Sequence, residues 1–174
     1  MNDISQSDSR LHRRSKGGCR WEGVDCLPYK EDEQTRFKAI SRQVLFSDPA
    51  LAAELRFFEV APGGFSSLER HQHAHAVLVL RGRGHCLIGR EVRRLEAYDL
   101  VTVPPWTWHQ FRATTDEPLG FLCMVNVDRD RPQLASDEDL ANLQADPSVA
   151  AFFASVPRNG MDRLDESEAK GERR

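Results

Sequence analysis

The sequence predicts an all-β sandwich or barrel that is followed by short helices. Between Phe37 and Asn126, short apolar segments that suit strands alternate with turn residues about every eight to twelve positions, a spacing typical of such folds. No helical pattern of about ten residues separates these segments, which argues against a parallel α/β sheet. After Pro132 the pattern changes to short helical segments.

The chain of 174 residues divides into four predicted parts. Residues 1–18 are polar and basic and end in two glycines, so we expect a flexible arm. Residues 19–132 are predicted to form the β domain, and the turn Pro62-Gly63-Gly64 is predicted to end one of its strands. The predicted strands are 37–46, 55–60, 66–71, 75–81, 84–88, 91–94, 99–103, 109–113 and 119–126.

Residues 136–156 are predicted to form a helical extension. Ser136 supplies an N-cap with acidic residues in the first turn. A second helix is predicted to begin with proline at its first position, Pro147, and to run to about Ser155. Residues 157–174 are charged and nearly free of apolar side chains, so we expect a disordered tail.

Composition excludes several classes of function. The formal net charge of −3 predicts neither nucleic-acid binding nor attraction to acidic membranes. The first residues lack the basic start and apolar region of a secretory signal, so we expect a cytoplasmic location. The four cysteines lack zinc or redox spacing. Cys19 and Cys26 could pair, but a reducing cytoplasm favours free thiols.

Histidines and a carboxylate are concentrated in one short stretch. Glu69, His71, His73 and His75 fall within seven residues and precede an apolar run. Imidazole and carboxylate groups together form the ligand set of a mononuclear transition-metal site. A straight strand would separate Glu69 from His75 by about 20 Å. The chain must therefore fold near His73, with His75 at the start of the next strand, and His109 would come from another strand.

The first of two segments resembles the first motif of the cupin superfamily, a family of small β-barrels. That motif consists of glycine, five residues, His-x-His, three or four residues, glutamate, six residues and glycine. The matching positions here are Gly63, Glu69, His71, His75 and Gly82. The carboxylate and one imidazole have exchanged places, so both kinds of ligand are retained.

The second segment resembles the second cupin motif. That motif consists of glycine, five residues, Pro-x-Gly, two residues, histidine, three residues and asparagine. The matching positions are Tyr98, Pro104, Trp106, His109 and Ala113. Two glycines and the asparagine are thus replaced, and the absence of glycine at Trp106 is expected to alter the turn before His109.

The resemblance covers about residues 37–128 and implies a double-stranded β-helix, a jelly-roll-like barrel. It also implies one divalent transition metal per chain, with iron(II) favoured and manganese, nickel, copper or zinc possible. The implied ligands are Glu69, His71, His75 and His109. Glu69 could instead orient an imidazole or act as a catalytic base beside the metal.

A metal site of this kind predicts chemistry on a small organic molecule. With four protein ligands, an octahedral ion keeps two positions open for a substrate or for dioxygen. The leading hypothesis is a metal-dependent oxidoreductase of the dioxygenase type. One alternative is redox-neutral isomerase, decarboxylase or lyase chemistry with Glu69 as a proton shuttle. Another is a non-catalytic barrel that binds a metal or a metabolite.

Two aromatic residues are candidates for cofactor and substrate binding. Trp106 is a candidate for substrate contact at the pocket mouth. Phe111 shares strand parity with His109, so we expect it to face the barrel interior beside the metal.

Sulfur-containing and basic side chains are further candidates. The last long strand could place Cys123 or Met124 near the site, or use both only in core packing. Arg56, Arg70 and Arg81 could bind an anion, or could simply face water.

The predicted strand after the histidine cluster is apolar on both faces. One face fills the barrel, so the other face, with Ala76, Leu78 and Leu80, must also be covered. The strand at 37–46 or a second subunit would cover it. Because cupins are often dimers, we expect a homodimer.

Overall fold

The computed structural model describes residues 11–15, 20–28 and 38–154. These ranges contain eleven strands, all in one curled antiparallel sheet, and two helices. The strands are β1 Leu27–Pro28, β2 Lys38–Asp48, β3 Ala53–Phe65, β4 Glu69–Arg70, β5 His75–Arg81, β6 Gly84–Ile88, β7 Glu91–Leu95, β8 Leu100–Val103, β9 His109–Ala113, β10 Leu119–Asn126 and β11 Gln133–Leu134; the helices are α1 Asp137–Gln144 and α2 Pro147–Ala154. The predicted all-β class with short C-terminal helices is confirmed.

Five neighbouring strands form the wall on which the interior is built. Their order is β2–β3–β10–β5–β8. Side chains alternate across a strand, and the inward face of this wall contributes much of the apolar interior, with Phe58, Val77, Val79 and Phe121 buried in one core cluster. Removal of this apolar surface from water is the main stabilising contribution to the barrel.

Strand β3 is longer than the sequence predicts. The prediction that Pro62-Gly63-Gly64 ends it was wrong, because β3 continues through these residues to Phe65. Gly63 has a positive φ of 68° and its N–H donates to the carbonyl of Thr114 at 2.7 Å. The pairing with β2 shifts register here, so a bulge absorbs the turn residues without ending the strand.

Two helices cover the opposite side of the barrel. Ser136 caps α1 as predicted, in a capping box with Asp139, and α2 begins at Pro147. Helix residues pack with Leu87 of β6 in a second apolar cluster. The guanidinium of Arg112 on β9 donates to the carbonyl of Phe152 at 2.8 Å, which satisfies a free carbonyl at the end of α2.

Two positions that hold glycine in the second cupin motif keep a glycine-like backbone. Tyr98 has a φ of 76° and Trp106 a φ of 57°, both in the left-handed region that costs an L-residue about 1–2 kcal/mol. The backbone N–H of Trp106 donates to the carbonyl of His71 at 2.7 Å. The expected alteration of this turn is therefore not found, because long-range hydrogen bonds hold the left-handed conformation.

Parts of the predicted terminal segments lie outside the described residues. These are residues 1–10, 16–19 and 155–174, so the predicted tail, the role of Cys19 and the four-part division stay predictions. Within the predicted arm, Ser15 N–H donates to the carbonyl of Arg20 and Glu22 N–H to that of Arg13, both at 2.8 Å. In the described part of the chain, no helix has the length and apolar character needed to cross a membrane.

Replacement of Gly82 by alanine should destabilise the barrel strongly. Gly82 has a φ of 74°, and an added Cβ would lie 1.7 Å from the carbonyl oxygen of Pro118. The matched control is Gly89→Ala, because Gly89 also has a positive φ, 64°, but its added Cβ would meet nothing closer than 3.7 Å. In urea unfolding we expect a loss of about 1–2 kcal/mol for the control and clearly more for Gly82→Ala. Equal losses would contradict the role of the close approach.

Candidate metal centre

Three histidines converge from separate segments of the barrel. His71 follows β4, His75 begins β5 and His109 begins β9. Their nearest ligand atoms all lie within 4.8 Å of one another. His71 and His109 are 1% and 3% exposed, so these two rings are largely shielded from water, whereas His75 is partly buried. The predicted turn between His71 and His75 is present, because β4 ends at Arg70 and β5 starts at His75.

Backbone carbonyls fix the orientation of two of these rings. Nδ1 of His71 lies 2.8 Å from the carbonyl oxygen of His73, and Nδ1 of His109 lies 2.9 Å from that of Thr107. A carbonyl can only accept, so each Nδ1 carries the proton and each Nε2 keeps its lone pair. The Nε2 atoms of His71 and His75 are buried and have no hydrogen-bond partner. Buried nitrogens without a partner are unusual, and this arrangement suits nitrogen ligation of a metal.

The three imidazoles are neutral near pH 7. Burial, with repulsion from His109 and His73, lowers the pKa of His71 to about 4. Burial lowers the pKa of His109 to about 4 as well. The pKa of His75 lies well below its ordinary value, again chiefly because of burial. Neutral imidazole is the form that binds a metal ion, so no proton needs to leave when an ion binds.

Glu69 lies beside the histidine group but is held by a different partner. Its side chain is 8% exposed, and one carboxylate oxygen accepts a hydrogen bond of 2.6 Å from the hydroxyl of Ser67. In the strand register Glu69 is opposite His109. The carboxylate is not part of the group of ligand atoms within 4.8 Å. Its predicted roles as ligand or base stay predictions.

His73 lies at the side of the cavity and contacts the carboxylate of Asp130. Its Nδ1 lies 2.7 Å from a carboxylate oxygen of Asp130, and its ring stacks on that of His71 with a centroid distance of 3.6 Å. Asp130 also accepts hydrogen bonds from the backbone N–H groups of Gln72 and His73. These bonds lower the pKa of Asp130 to about 2. They tie the loop that contains Asp130 to the turn between the histidines.

A thiol lies between the histidine group and a buried arginine. Cys123 Sγ lies 3.4 Å from Nδ1 of His75, and it accepts a hydrogen bond of 3.4 Å from Nη2 of Arg56. Burial raises the pKa of the Cys123 thiol, whereas the positive charge of Arg56 acts in the opposite direction. The sequence left open whether Cys123 lies near the site, and the structure places it there.

The histidines open into a cavity of about 200 Å³. Phe111 lines this cavity, and its contact with a cofactor stays a prediction. Trp106 does not contribute to the lining and is 51% exposed, so its contact with a substrate stays a prediction. Met124 faces outward and is 53% exposed, because it alternates with the inward-facing Cys123 on β10.

The three arginines suggested by the sequence have different surroundings. Arg56 lines the cavity, whereas Arg70 and Arg81 do not. Arg70 stacks over Trp108 at 4.4 Å, and Arg81 forms an ion pair of 2.8 Å with Glu59. Of these three arginines, the structure brings only Arg56 to the histidine site.

Comparisons with known proteins agree on the family. Residues 56–125 match the cupin domain family. A protein of Rhodospirillum rubrum named 1-methylthio-D-xylulose 5-phosphate methylsulfurylase is 58% identical over 147 residues, which cover 84% of this chain and 94% of that protein. The chain belongs to the cupin superfamily.

Solved structures support the same assignment. A cupin-2 domain from Rhodospirillum rubrum matches this cupin with a TM-score of 0.77 and 58% identity, covering 83% of this chain and 97% of the other. A cupin 2 conserved barrel domain protein from Rhodopseudomonas palustris matches with a TM-score of 0.77 and 50% identity, covering 82% and 98%. The three-histidine group fits a metal-binding cupin.

Three charged residues that line the cavity were not predicted from the sequence. Arg42, Arg129 and Asp130 all contribute to its lining. Arg42 could have been noticed, because it interrupts an alternating series in which Ile40 and Val44 are apolar. Arg129 and Asp130 lie in the segment after β10 and carry no periodic signal.

The metal-free cupin should lose stability between pH 6.5 and 4. His71 and His109 take up protons near pH 6.5 in the unfolded chain but only near pH 4 in the fold. Between these values the unfolded chain binds more protons, so stability falls as the pH falls, and above pH 6.5 the effect disappears. At pH 5 each histidine should lower the free energy of unfolding by up to about 2 kcal/mol relative to pH 7.

Urea unfolding of metal-free protein at pH 7 and pH 5 measures this effect. A His109→Gln variant should lose part of the pH dependence. His85→Gln is the matched control, because His85 is exposed on β6, and it should keep the full dependence. A wild-type stability that is the same at both pH values would contradict the prediction.

Proposed function

We propose that this cupin is a metal-dependent enzyme that cleaves the carbon–sulfur bond of a 1-methylthio ketose 5-phosphate. The observation that carries the proposal is a cavity in which three neutral imidazoles meet a buried thiol. The name of the Rhodospirillum rubrum relative, which is 58% identical over most of both chains, supports it. Such a reaction needs no dioxygen but consumes a thiol reductant, so it differs from both the dioxygenase hypothesis and the redox-neutral alternative.

His71, His75 and His109 would hold the divalent ion through their Nε2 atoms. The buried, partnerless Nε2 atoms of His71 and His75 fit this role. The bound ion would act as a Lewis acid that stabilises negative charge on a substrate oxygen. Iron(II), manganese, nickel, copper and zinc all suit such ligands, and Glu69 is the proposed fourth ligand or proton-transfer group.

Cys123 is the proposed nucleophile. If His75 binds the ion through Nε2, its Nδ1 carries a proton, so His75 and Arg56 both direct N–H groups at the sulfur. Two such donors favour the thiolate. The thiolate attacks the methylthio sulfur and forms an S–S bond, while the electron pair of the carbon–sulfur bond moves toward the adjacent ketone. A proton, supplied by Glu69 or water, completes the ketone product.

The step leaves Cys123 as a methyl disulfide, so turnover needs a thiol reductant. A small thiol can release the enzyme by thiol–disulfide exchange. The reducing cytoplasm supplies such thiols, and it is the compartment that we propose for this cupin.

A homodimer is the proposed assembly, formed through the outer face of the five-stranded wall. In the register of the strands, Phe46 and Met124 both lie opposite Leu55, and Leu122 and Leu100 both lie opposite Leu78. Phe46, Met124 and Leu100 are 45%, 53% and 66% exposed. Strand β2 lies within the sheet, beside β3, and so does not cover this face. Of the two covers predicted from the sequence, the second subunit therefore remains.

Turnover without dioxygen is the decisive test of the proposed function. The as-purified cupin is mixed under nitrogen with 1-methylthio-D-xylulose 5-phosphate and dithiothreitol, and metal content is measured on the same sample. We expect about one divalent ion per chain and formation of the deoxyketose phosphate at the same rate with and without air. His109→Ala should lose the ion, and its rate should fall at least about 100-fold.

The cysteine variants separate the thiol from the metal. Cys123→Ser should keep the ion but lose turnover, and wild-type enzyme quenched without reductant should carry one methylthio group on Cys123 by mass spectrometry. Cys26→Ser is the matched control and should be unaffected, because Cys26 does not line the cavity. A rate that requires dioxygen would support the dioxygenase hypothesis instead, and bound but unchanged substrate would support a non-catalytic barrel.

Charge on the outer apolar face should abolish the proposed dimer. By sedimentation equilibrium the wild-type cupin should have twice the mass of one chain, and Met124→Lys with Leu100→Lys should have the mass of one chain. Leu134→Lys is the matched control, because Leu134 is 37% exposed on β11, away from this face. A monomeric wild type, or a dimer in the double variant, would exclude the proposed interface.

A further inference from the structure

Three arginines contribute to the same cavity as the histidines. Arg42 comes from β2, Arg56 from β3 and Arg129 from the segment after β10. Burial of a guanidinium is costly unless it meets negative charge. Arg56 is 6% exposed, so its charge needs an anionic partner, and Glu54 beside it is shared with Arg129.

The strand register places two of these arginines side by side. Val44 pairs with Arg56, and Arg42 pairs with Phe58. Arg42 and Arg56 are therefore diagonal neighbours on the inward face, with backbones about 7–8 Å apart. Side chains as long as arginine can reach a common ligand from these positions.

The third arginine is joined to Arg56 by one carboxylate. Oε1 of Glu54 lies 2.8 Å from Nη2 of Arg129 and 3.6 Å from Nε of Arg56. Two guanidinium groups thus share one carboxylate oxygen. Nε of Arg56 is buried and makes no hydrogen bond, because Glu54 lies 3.6 Å away, beyond hydrogen-bond distance.

The two carboxylates that line the cavity have their own hydrogen-bond partners. Asp130 accepts from two backbone N–H groups and faces His73, and Glu69 accepts from Ser67. The three guanidinium groups share the cavity with the apolar Phe58 and Phe121, which exclude water and so strengthen electrostatic attraction to an anion.

We propose that Arg42, Arg56 and Arg129 form the subsite for the terminal phosphate of the substrate. They would make the enzyme specific for a phosphorylated sugar. The inference rests on the proposed function, and it adds the residues that select and orient the substrate. Guanidinium groups match phosphate oxygens in geometry and charge. Because Arg56 also contacts Cys123, the phosphate subsite is connected directly to the reactive sulfur.

The specificity test compares two substrates that differ only in the phosphate. Rates are measured with 1-methylthio-D-xylulose 5-phosphate and with 1-methylthio-D-xylulose. Arg42→Gln and Arg129→Gln should each lower kcat/KM for the phosphorylated substrate roughly 10- to 100-fold, mainly through KM, because each removes charge-assisted hydrogen bonds. The rate with the dephosphorylated substrate should stay unchanged, and Arg42→Lys should recover part of the loss.

The matched control is Arg81→Gln, which removes an arginine of the same wall that is paired with Glu59 outside the cavity. It should change neither rate. If Arg42→Gln and Arg129→Gln lower the rates with both substrates equally, or with neither, the subsite is wrong while the proposed function stands.

A binding measurement tests the subsite without the reaction. Binding of inorganic phosphate is measured by isothermal titration calorimetry at fixed ionic strength. The protein is the His109→Ala variant, which should lack the ion, so that phosphate cannot bind to a metal. We expect binding in this variant and its loss when Arg42→Gln is added. This result, together with an absence of turnover in the wild type, would support the anion subsite and reject the proposed function. Equal phosphate binding with and without Arg42→Gln would overturn the subsite.

Discussion

The site depends on buried imidazole nitrogens that the protein itself does not satisfy. A buried polar atom without a partner costs about 1–3 kcal/mol, and the Nε2 atoms of His71 and His75 are both in this state. The carbonyls of His73 and Thr107 bind the opposite ring nitrogens of His71 and His109. The backbone therefore holds two of the three lone pairs ready for an electrophile, and the cost in stability is offset when an ion binds.

Much of the fold could be predicted because its signals are local. Strands β5, β6, β9 and β10 have the predicted bounds, since glycine or proline turns flank them and apolar side chains alternate within them. The continuation of β3 through Pro62-Gly63-Gly64 could not be predicted. It depends on the bulge against β2 and on a hydrogen bond to Thr114, which lies far away in the sequence. The same holds for Trp106, whose left-handed backbone is held by His71.

The candidate site was predictable to the extent that motif spacing encodes it. The positions of His71, His75 and His109 follow from two short segments, and the structure brings these three side chains together. The positions of the cavity arginines depend instead on strand register and on the segment after β10. Arg42 reaches the cavity only because β2 pairs with β3 in a particular register, and Arg129 is placed by hydrogen bonds to Asn126, Val127 and Glu54.

Arg56 connects the proposed phosphate subsite to the thiol of Cys123. One guanidinium nitrogen, Nη2, donates to Cys123, whereas Nε faces Glu54 without a hydrogen bond. A guanidinium is planar and rigid, so these two directions cannot vary independently. An anion bound by this guanidinium would therefore be fixed relative to the sulfur, and Cys123 is in turn fixed relative to His75. Because the thiol is buried and its pKa is raised, its activation depends on these same two donors. The groups that would orient the substrate are thus also the groups that would stabilise the nucleophile.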